Sequence, residues 1–188
     1  MSSFLASLLL VFNRFLGLIM TPYQTMRKIG LDRDTGQLGI IFFLIFLYYF
    51  ATEPIRYFVF LLNFALTVLF FYVMGRISRR DIKPLGAVLL FSYTLFPTLI
   101  WFIVTSTLYH VLPPPRTFTL LGGAFSILYI AFSISLLAWK IILLYLAARF
   151  TIRQGFYRVM YTIVLYGACV TAVIYVAYGL GWAKVPFI

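Results

Sequence analysis

Few side chains in this sequence have the chemistry of a site, and they are unevenly placed. Lys140 is the one charge inside an apolar segment, and an ionisable group within a membrane span is by default a functional suspect. Asn63 is the single strongly polar residue in the middle of another apolar stretch; its ordinary use is an interhelical hydrogen bond, and a ligand contact is the sharper alternative. His110 is the only histidine, next to no second histidine or carboxylate that would complete a metal site. Cys169 is the only cysteine, so it reads as apolar filler and forms no disulfide framework. The four acids, Asp32, Asp34, Glu53 and Asp81, fall in connectors, and no acid–base pair is visible. There is no P-loop, no His-Glu-x-x-His, no Gly-x-Ser-x-Gly and no paired cysteines. The expectation is a protein that is not an enzyme and holds neither metal nor cofactor.

The remaining chemistry is cationic. Arg76, Arg79, Arg80 and Lys83 form one run, and Arg149, Arg153 and Arg158 a second, each flanked by long uncharged stretches. A net charge of +11 could suggest nucleic acid, but the cations cluster at the ends of apolar segments and not along a soluble face. Anionic lipid headgroups are the expected counter-ions, with Arg76, Arg79, Arg80, Lys83, Arg149, Arg153 and Lys140 as the candidate lipid or partner contacts.

The elements that must position these groups are membrane helices, because 64% of the 188 residues are apolar and the mean hydropathy is +1.05. Spans are expected at about 37–52, 54–75, 84–108, 118–148 and 157–179. The basic run 76–83 marks a short cytoplasmic loop, since Lys and Arg resist translocation. Counted from there, eleven cations lie inside and three (Arg56, Arg116, Lys184) outside, which places the N-terminus in and the C-terminus out. The fold class is therefore all-α, a polytopic bundle of five transmembrane helices forming a single membrane domain.

Residues 1–36 form its cytoplasmic and interfacial part. Met1 to Met20 lacks a basic leader and a small-residue cleavage pattern, so it reads as an in-plane amphipathic helix. Phe4, Leu8, Val11, Phe12, Phe15 and Ile19 share one face, and Ser3, Ser7 and Arg14 another. Thr21 is the expected N-cap of a short helix Pro22 to Ile29 closed by Gly30, and Asp34 or Thr35 the expected cap of the next.

Details within the spans suggest how they associate. The third carries "GAVLLFSYTLFP", in which Ser92 precedes Pro97; a helix-interior proline is expected to kink the span and to need neighbours for its freed carbonyl, which places this span inside the bundle. Gly122 with Ser126 and Gly167 with Thr171 are small-residue pairs that permit close packing, and Ser133 and Ser135 offer polar atoms to neighbouring helices. A stiff Pro113-Pro114-Pro115 connector joins the third and fourth spans. The fourth overshoots the roughly 30 Å core, so that Trp139-Lys140 falls at the cytoplasmic interface as an aromatic anchor beside a snorkelling cation.

With this layout, the proline-led "PYQTMRKI", the "GAVLLFSYTLFP" of the third span and "LAWKIILLYLAARF" before a short basic loop, the chain resembles the Yip domain family of Ypt/Rab-interacting, five-span membrane proteins. The resemblance covers most of the chain and implies a non-enzymatic role in membrane organisation or trafficking. It does not extend to the soluble N-terminal region or to the Asp-Leu-Tyr-Gly-Pro and Gly-Tyr motifs, so Rab-type GTPase binding is not carried over, and a prokaryotic member in the cytoplasmic membrane is expected. The function expected is a scaffold or accessory subunit that binds lipids and other membrane proteins. The alternative is a small substrate-binding membrane component of a transporter, which requires residues 1–20 to cross the membrane as a sixth span.

Overall fold

In the computed structural model, residues 2–32, 34–52, 54–77, 84–111 and 120–179 are described. They form eight helices and no strand: α1 (Ser2–Met20), α2 (Pro22–Ile29), α3 (Gly36–Thr52), α4 (Pro54–Ile77), α5 (Pro84–Tyr93), α6 (Phe96–Val111), α7 (Leu120–Ile152) and α8 (Phe156–Gly179). Arg79, Arg80 and Lys83, the triple-proline connector, Arg116 and the tail from 180 onward lie outside the described residues.

Three stretches are long and apolar enough to cross a membrane: Tyr57–Ile77, Pro84–Val111 and Gly122–Ile152. The chain has the make-up of an integral membrane protein. Of the five spans expected, these three have the length and composition to cross; Gly36–Phe50 and Phe156–Ala172, expected as spans, are shorter apolar helices, as is Phe4–Met20. The 33 residues of α7 rise about 50 Å, well beyond a hydrocarbon core of about 30 Å.

The hub is α5, which touches α2, α3, α4 and α7. Gly86, Ala87 and every residue from Leu89 to Tyr93 are buried, so the segment expected inside the bundle is there. Gly86 makes the approach possible: a Cβ on it would lie 3.0 Å from the Gly30 carbonyl oxygen at the end of α2. On the opposite side, the Phe71 ring of α4 stacks on Phe91 at 4.9 Å. The last turns of α7 close the core with Leu143, Leu146, Ala147, Ala148 and Ile152. Most of α7 before Lys140 is outward and apolar, as befits a helix whose solvent is lipid.

The third apolar segment does not kink at an interior proline. It breaks. Thr94 N–H bonds to Phe91 O and Leu95 N–H to Ser92 O, both at 3.1 Å, and these tight three-residue turns end α5. A new helix begins at Phe96, so Pro97 stands in the first turn of α6, where a missing N–H costs no intrahelical bond. The Ser92 hydroxyl donates to Leu89 O at 2.8 Å and that of Thr94 to Phe91 O at 2.7 Å, which keeps both buried side chains satisfied. Around the break, Ile45, Phe60, Leu95, Thr98, Leu99 and Phe102 face one another across an apolar crevice with no room for a water molecule.

Smaller expectations also change. Thr21 does not cap α2; its hydroxyl turns back toward Gly17 O, 3.4 Å away. Gly30 ends α2 in a right-handed conformation (φ −63°), so its use is the room it leaves for α5 and not a left-handed turn. His110, two residues past the expected end of the third span at 108, belongs to the last turn of α6. Gly167 faces open space and Thr171 donates to the Gly167 carbonyl, so that pair makes no close interhelical contact among the described residues. Ser133 accepts from the Trp101 indole at 3.2 Å, joining α6 to α7 as a span serine should, whereas Ser135 bonds within α7 to Ala131 O.

Candidate functional site

The densest polar chemistry in the described structure lies beneath α1. Ser7, Val11, Arg14 and Leu18 recur at helical spacing and turn toward the bundle, leaving Phe4, Leu8, Phe12, Leu16 and Ile19 exposed. The expected division of α1 holds only in part: Ser7 and Arg14 turn inward, but so do Val11 and Phe15, expected on the apolar face, while Phe4, Leu8, Phe12 and Ile19 face outward. An outward apolar face suits lipid, and the inward one requires polar partners.

The connector between α2 and α3 supplies those partners. After α2, the N–H of Asp32 is shared between Lys28 O and Ile29 O, which turns the chain back under α1. The Arg14 guanidinium donates from Nη2 to Asp32 Oδ2 at 2.9 Å, with side-chain exposures of 17% and 25%. Two turns back along α1, Ser7 Oγ donates to Asp34 Oδ2 at 2.8 Å. Asp34 also accepts the Gly36 N–H at 2.9 Å through Oδ1, which makes it the cap of α3, as one of the two expected candidates. Gly36 is obligatory in this arrangement, since a Cβ there would lie 2.5 Å from Ser7 Oγ. Asp34 thus ties α1 and α3 together through a single carboxylate.

Deeper in, α3 and α5 meet through a second polar pair. The Tyr93 hydroxyl donates to Gln37 Oε1 at 2.6 Å, and both residues are fully buried. Gln37 directly follows Gly36, whose N–H Asp34 accepts, so this pair adjoins the Arg14–Asp32 and Ser7–Asp34 contacts in one cluster at the start of α3. Two donors in it have no acceptor among the described residues, Arg14 Nε and Gln37 Nε2. The cluster carries one cation against two carboxylates. It holds three helices by charge-assisted and buried hydrogen bonds, and its unmet donors are suited to an additional oxygen acceptor.

The sequence-predicted residues do not converge on this cluster. Arg149, at the end of α7, lies 5.7 Å over the Tyr23 ring of α2 and donates to Tyr145 Oη at 3.3 Å. Tyr23 in turn meets Phe150 at 5.3 Å, which docks α2 on the end of α7. Arg153 closes α7 with φ 52°, its N–H bonded to Arg149 O at 2.9 Å, and its side chain is exposed. Arg76 sits 5.9 Å over its own helix's Tyr72. Arg27, Lys28 and Arg158 are also exposed.

Lys140 is exposed and has no ion pair or hydrogen bond among the described residues, whereas Trp139 beside it is half-buried against Phe15 of α1 at 6.3 Å. Trp139-Lys140 therefore lies level with α1. Ser92 and Pro97 are buried at the α5–α6 break, and Cys169 is exposed on α8. Asn63 is exposed on α4; its backbone carbonyl accepts the Thr67 hydroxyl at 2.8 Å, and its side chain has no partner within the chain among the described residues. No group of three metal-binding side chains comes together among the described residues.

Sequence reasoning missed the Arg14–Asp32 and Ser7–Asp34 contacts because it placed both acids in a solvated connector. A signal was present: Ser7 and Arg14 stand two helical turns apart on one face, and Asp32 and Asp34 follow a short helix that could return them to it. No protein-family model matches the chain, and no curated protein and no solved structure is similar to it.

Proposed function

We propose that this chain is a non-enzymatic membrane scaffold or accessory subunit, of the five-span Yip type with its N-terminus inside and its C-terminus outside, that organises lipids and other membrane proteins. The observation that carries the reading is the use made of Asp32 and Asp34: both carboxylates are engaged by Arg14, Ser7 and the Gly36 N–H in fastening α1 to the bundle. Outward, the chain offers lipid-like apolar helix faces and the exposed cations Arg76, Arg149 and Arg153, to which the run Arg79, Arg80 and Lys83 adds by sequence. Cations held at helix ends beside aromatic rings match anionic headgroups, each contributing up to about 1 kcal/mol near a charged surface.

Native mass spectrometry after gentle extraction tests the reading. Retained anionic lipid or stoichiometric protein partners are expected, with lipid retention falling when Arg149 and Arg76 are replaced by Gln. A bare monomer under mild conditions refutes it.

A further inference from the structure

The corner where α2, the end of α7 and the start of α8 meet holds a guanidinium that is fixed in place but not neutralised. Arg149 lies 5.7 Å over the Tyr23 ring of α2 and donates from Nη1 to Tyr145 Oη at 3.3 Å. Tyr145 in turn packs on Phe156 at 5.8 Å and Tyr23 on Phe150 at 5.3 Å, so rings from three helices set the position of one cation. Those contacts use one face and one N–H of the group, and its side chain stays exposed. Arg27 follows Tyr23 by one turn, about 6 Å away between Cβ atoms; it too is exposed, with no ion pair or hydrogen bond among the described residues. Neither described carboxylate balances the corner, since Asp32 is taken by Arg14 and Asp34 by Ser7 and the Gly36 N–H. An apolar path adjoins the charge. Back along α7 from Arg149, Tyr145, Ile142 and Ile141 stand four, seven and eight residues away on the same face, and both isoleucines are exposed.

We propose that this corner is a discrete site for one anionic phospholipid, its phosphate held by Arg149 and Arg27 and an acyl chain laid along Tyr145, Ile142 and Ile141. The proposal deepens the reading of the chain as a lipid-organising protein and rests on it. A diffuse cationic surface only raises the local concentration of headgroups. A guanidinium already held by two tyrosines loses little freedom on binding, and its planar fork matches two phosphate oxygens. The apolar path selects a lipid over free phosphate, because a soluble anion answers the charge but leaves the isoleucines bare. Net negative charge is selected as well: a zwitterionic headgroup brings its own cation to a corner whose positive charge is uncompensated. Arg76, 5.9 Å over Tyr72 of its own α4, has no contact with the corner among the described residues and serves as the control.

The test titrates the full chain, in a mild non-ionic detergent, with phosphatidylglycerol and counts bound lipid by native mass spectrometry. One phosphatidylglycerol per chain should bind ahead of further copies, and phosphatidylcholine should show no such first step. Arg149→Gln and Arg27→Gln should each weaken that step about five-fold, the effect of one surface cation on an anionic headgroup, and Arg76→Gln should leave it unchanged. Arg27 is the deciding position, because it has no ion pair or hydrogen bond among the described residues whose loss would loosen α2. Inorganic phosphate should not displace the lipid; displacement identifies a free-anion site and overturns the proposal. An equal first step with phosphatidylcholine overturns it too, as does a first step that Arg27→Gln and Arg149→Gln leave unchanged. In those cases retained anionic lipid leaves the broader scaffold reading standing, whereas a chain that keeps neither lipid nor partner removes both.

Discussion

Replacing Tyr93 by Phe probes the cluster at its most buried point. The hydroxyl donates at 2.6 Å to Gln37 Oε1, and neither residue reaches the surface. Removing it leaves a ring of nearly the same shape, so little packing is lost, but Gln37 becomes an amide with both ends unmet, since its Nε2 already has no partner among the described residues. An orphaned buried polar group costs about 1–3 kcal/mol, whereas deleting both partners of a bond in favour of apolar side chains is close to neutral. Tyr93→Phe should therefore destabilise the bundle by about 2 kcal/mol, roughly thirty-fold in the unfolding constant. Gln37→Leu should cost less than Tyr93→Phe, because it removes the unmet amide while orphaning only a hydroxyl. The double variant should recover to within about 1 kcal/mol of the original protein. Reversible unfolding in mixed micelles, followed by far-ultraviolet circular dichroism, measures all four corners of this cycle. If the double variant loses the sum of the two single losses, the pair is not coupled and the account of the α3–α5 contact is wrong.

Three further outcomes follow from the same contacts. Arg14→Met, which leaves Asp32 part-buried and unpaired, should raise amide hydrogen exchange throughout α1 by about ten-fold or more while α5 stays protected; equal exchange in both helices would show that the ion pair does not hold α1. Gly86→Val should push α5 from α2 at the cost of about 1–3 kcal/mol, because even a Cβ stands 3.0 Å from backbone oxygen that cannot swing aside, and an unchanged unfolding midpoint would contradict the close approach. Lys140→Met should leave insertion and stability within about 0.5 kcal/mol of the original, as for an exposed residue without partners among the described residues; a larger loss in the unfolding cycle would mean that Lys140 has a buried role.

Hydrophobic patterning alone determined the all-α class, the helix boundaries near 37–52, 54–75 and 157–179, and the central position of the third apolar segment, because each is a local or one-dimensional property: length against hydrocarbon thickness, uncharged runs between cations, proline at a helix start. The cap at Asp34 was legible for the same reason, its acceptor and its donor standing two residues apart. What only the tertiary structure decided is where polar side chains point. A helix with Ser7 and Arg14 on one face and Phe4, Leu8 and Phe12 on the other satisfies the same periodicity whether it lies face-down on a membrane or back-to-front on a bundle. The choice depends on whether Asp32 and Asp34, 18 and 27 residues later in the chain than the side chains they bind, return to meet it. The fate of Pro97 was undecided likewise: the sequence contains the proline, but the two tight turns at Thr94 and Leu95 that convert it from an interior residue to a first-turn residue depend on a buried hub whose hydroxyls bond back to its own carbonyls. Asn63 is the converse case. Its polar side chain is written in one residue of the sequence, and only the structure shows that it is exposed with no partner among the described residues, although Thr67 and Phe70, one and two turns further on the same side of α4, meet Tyr166 of α8.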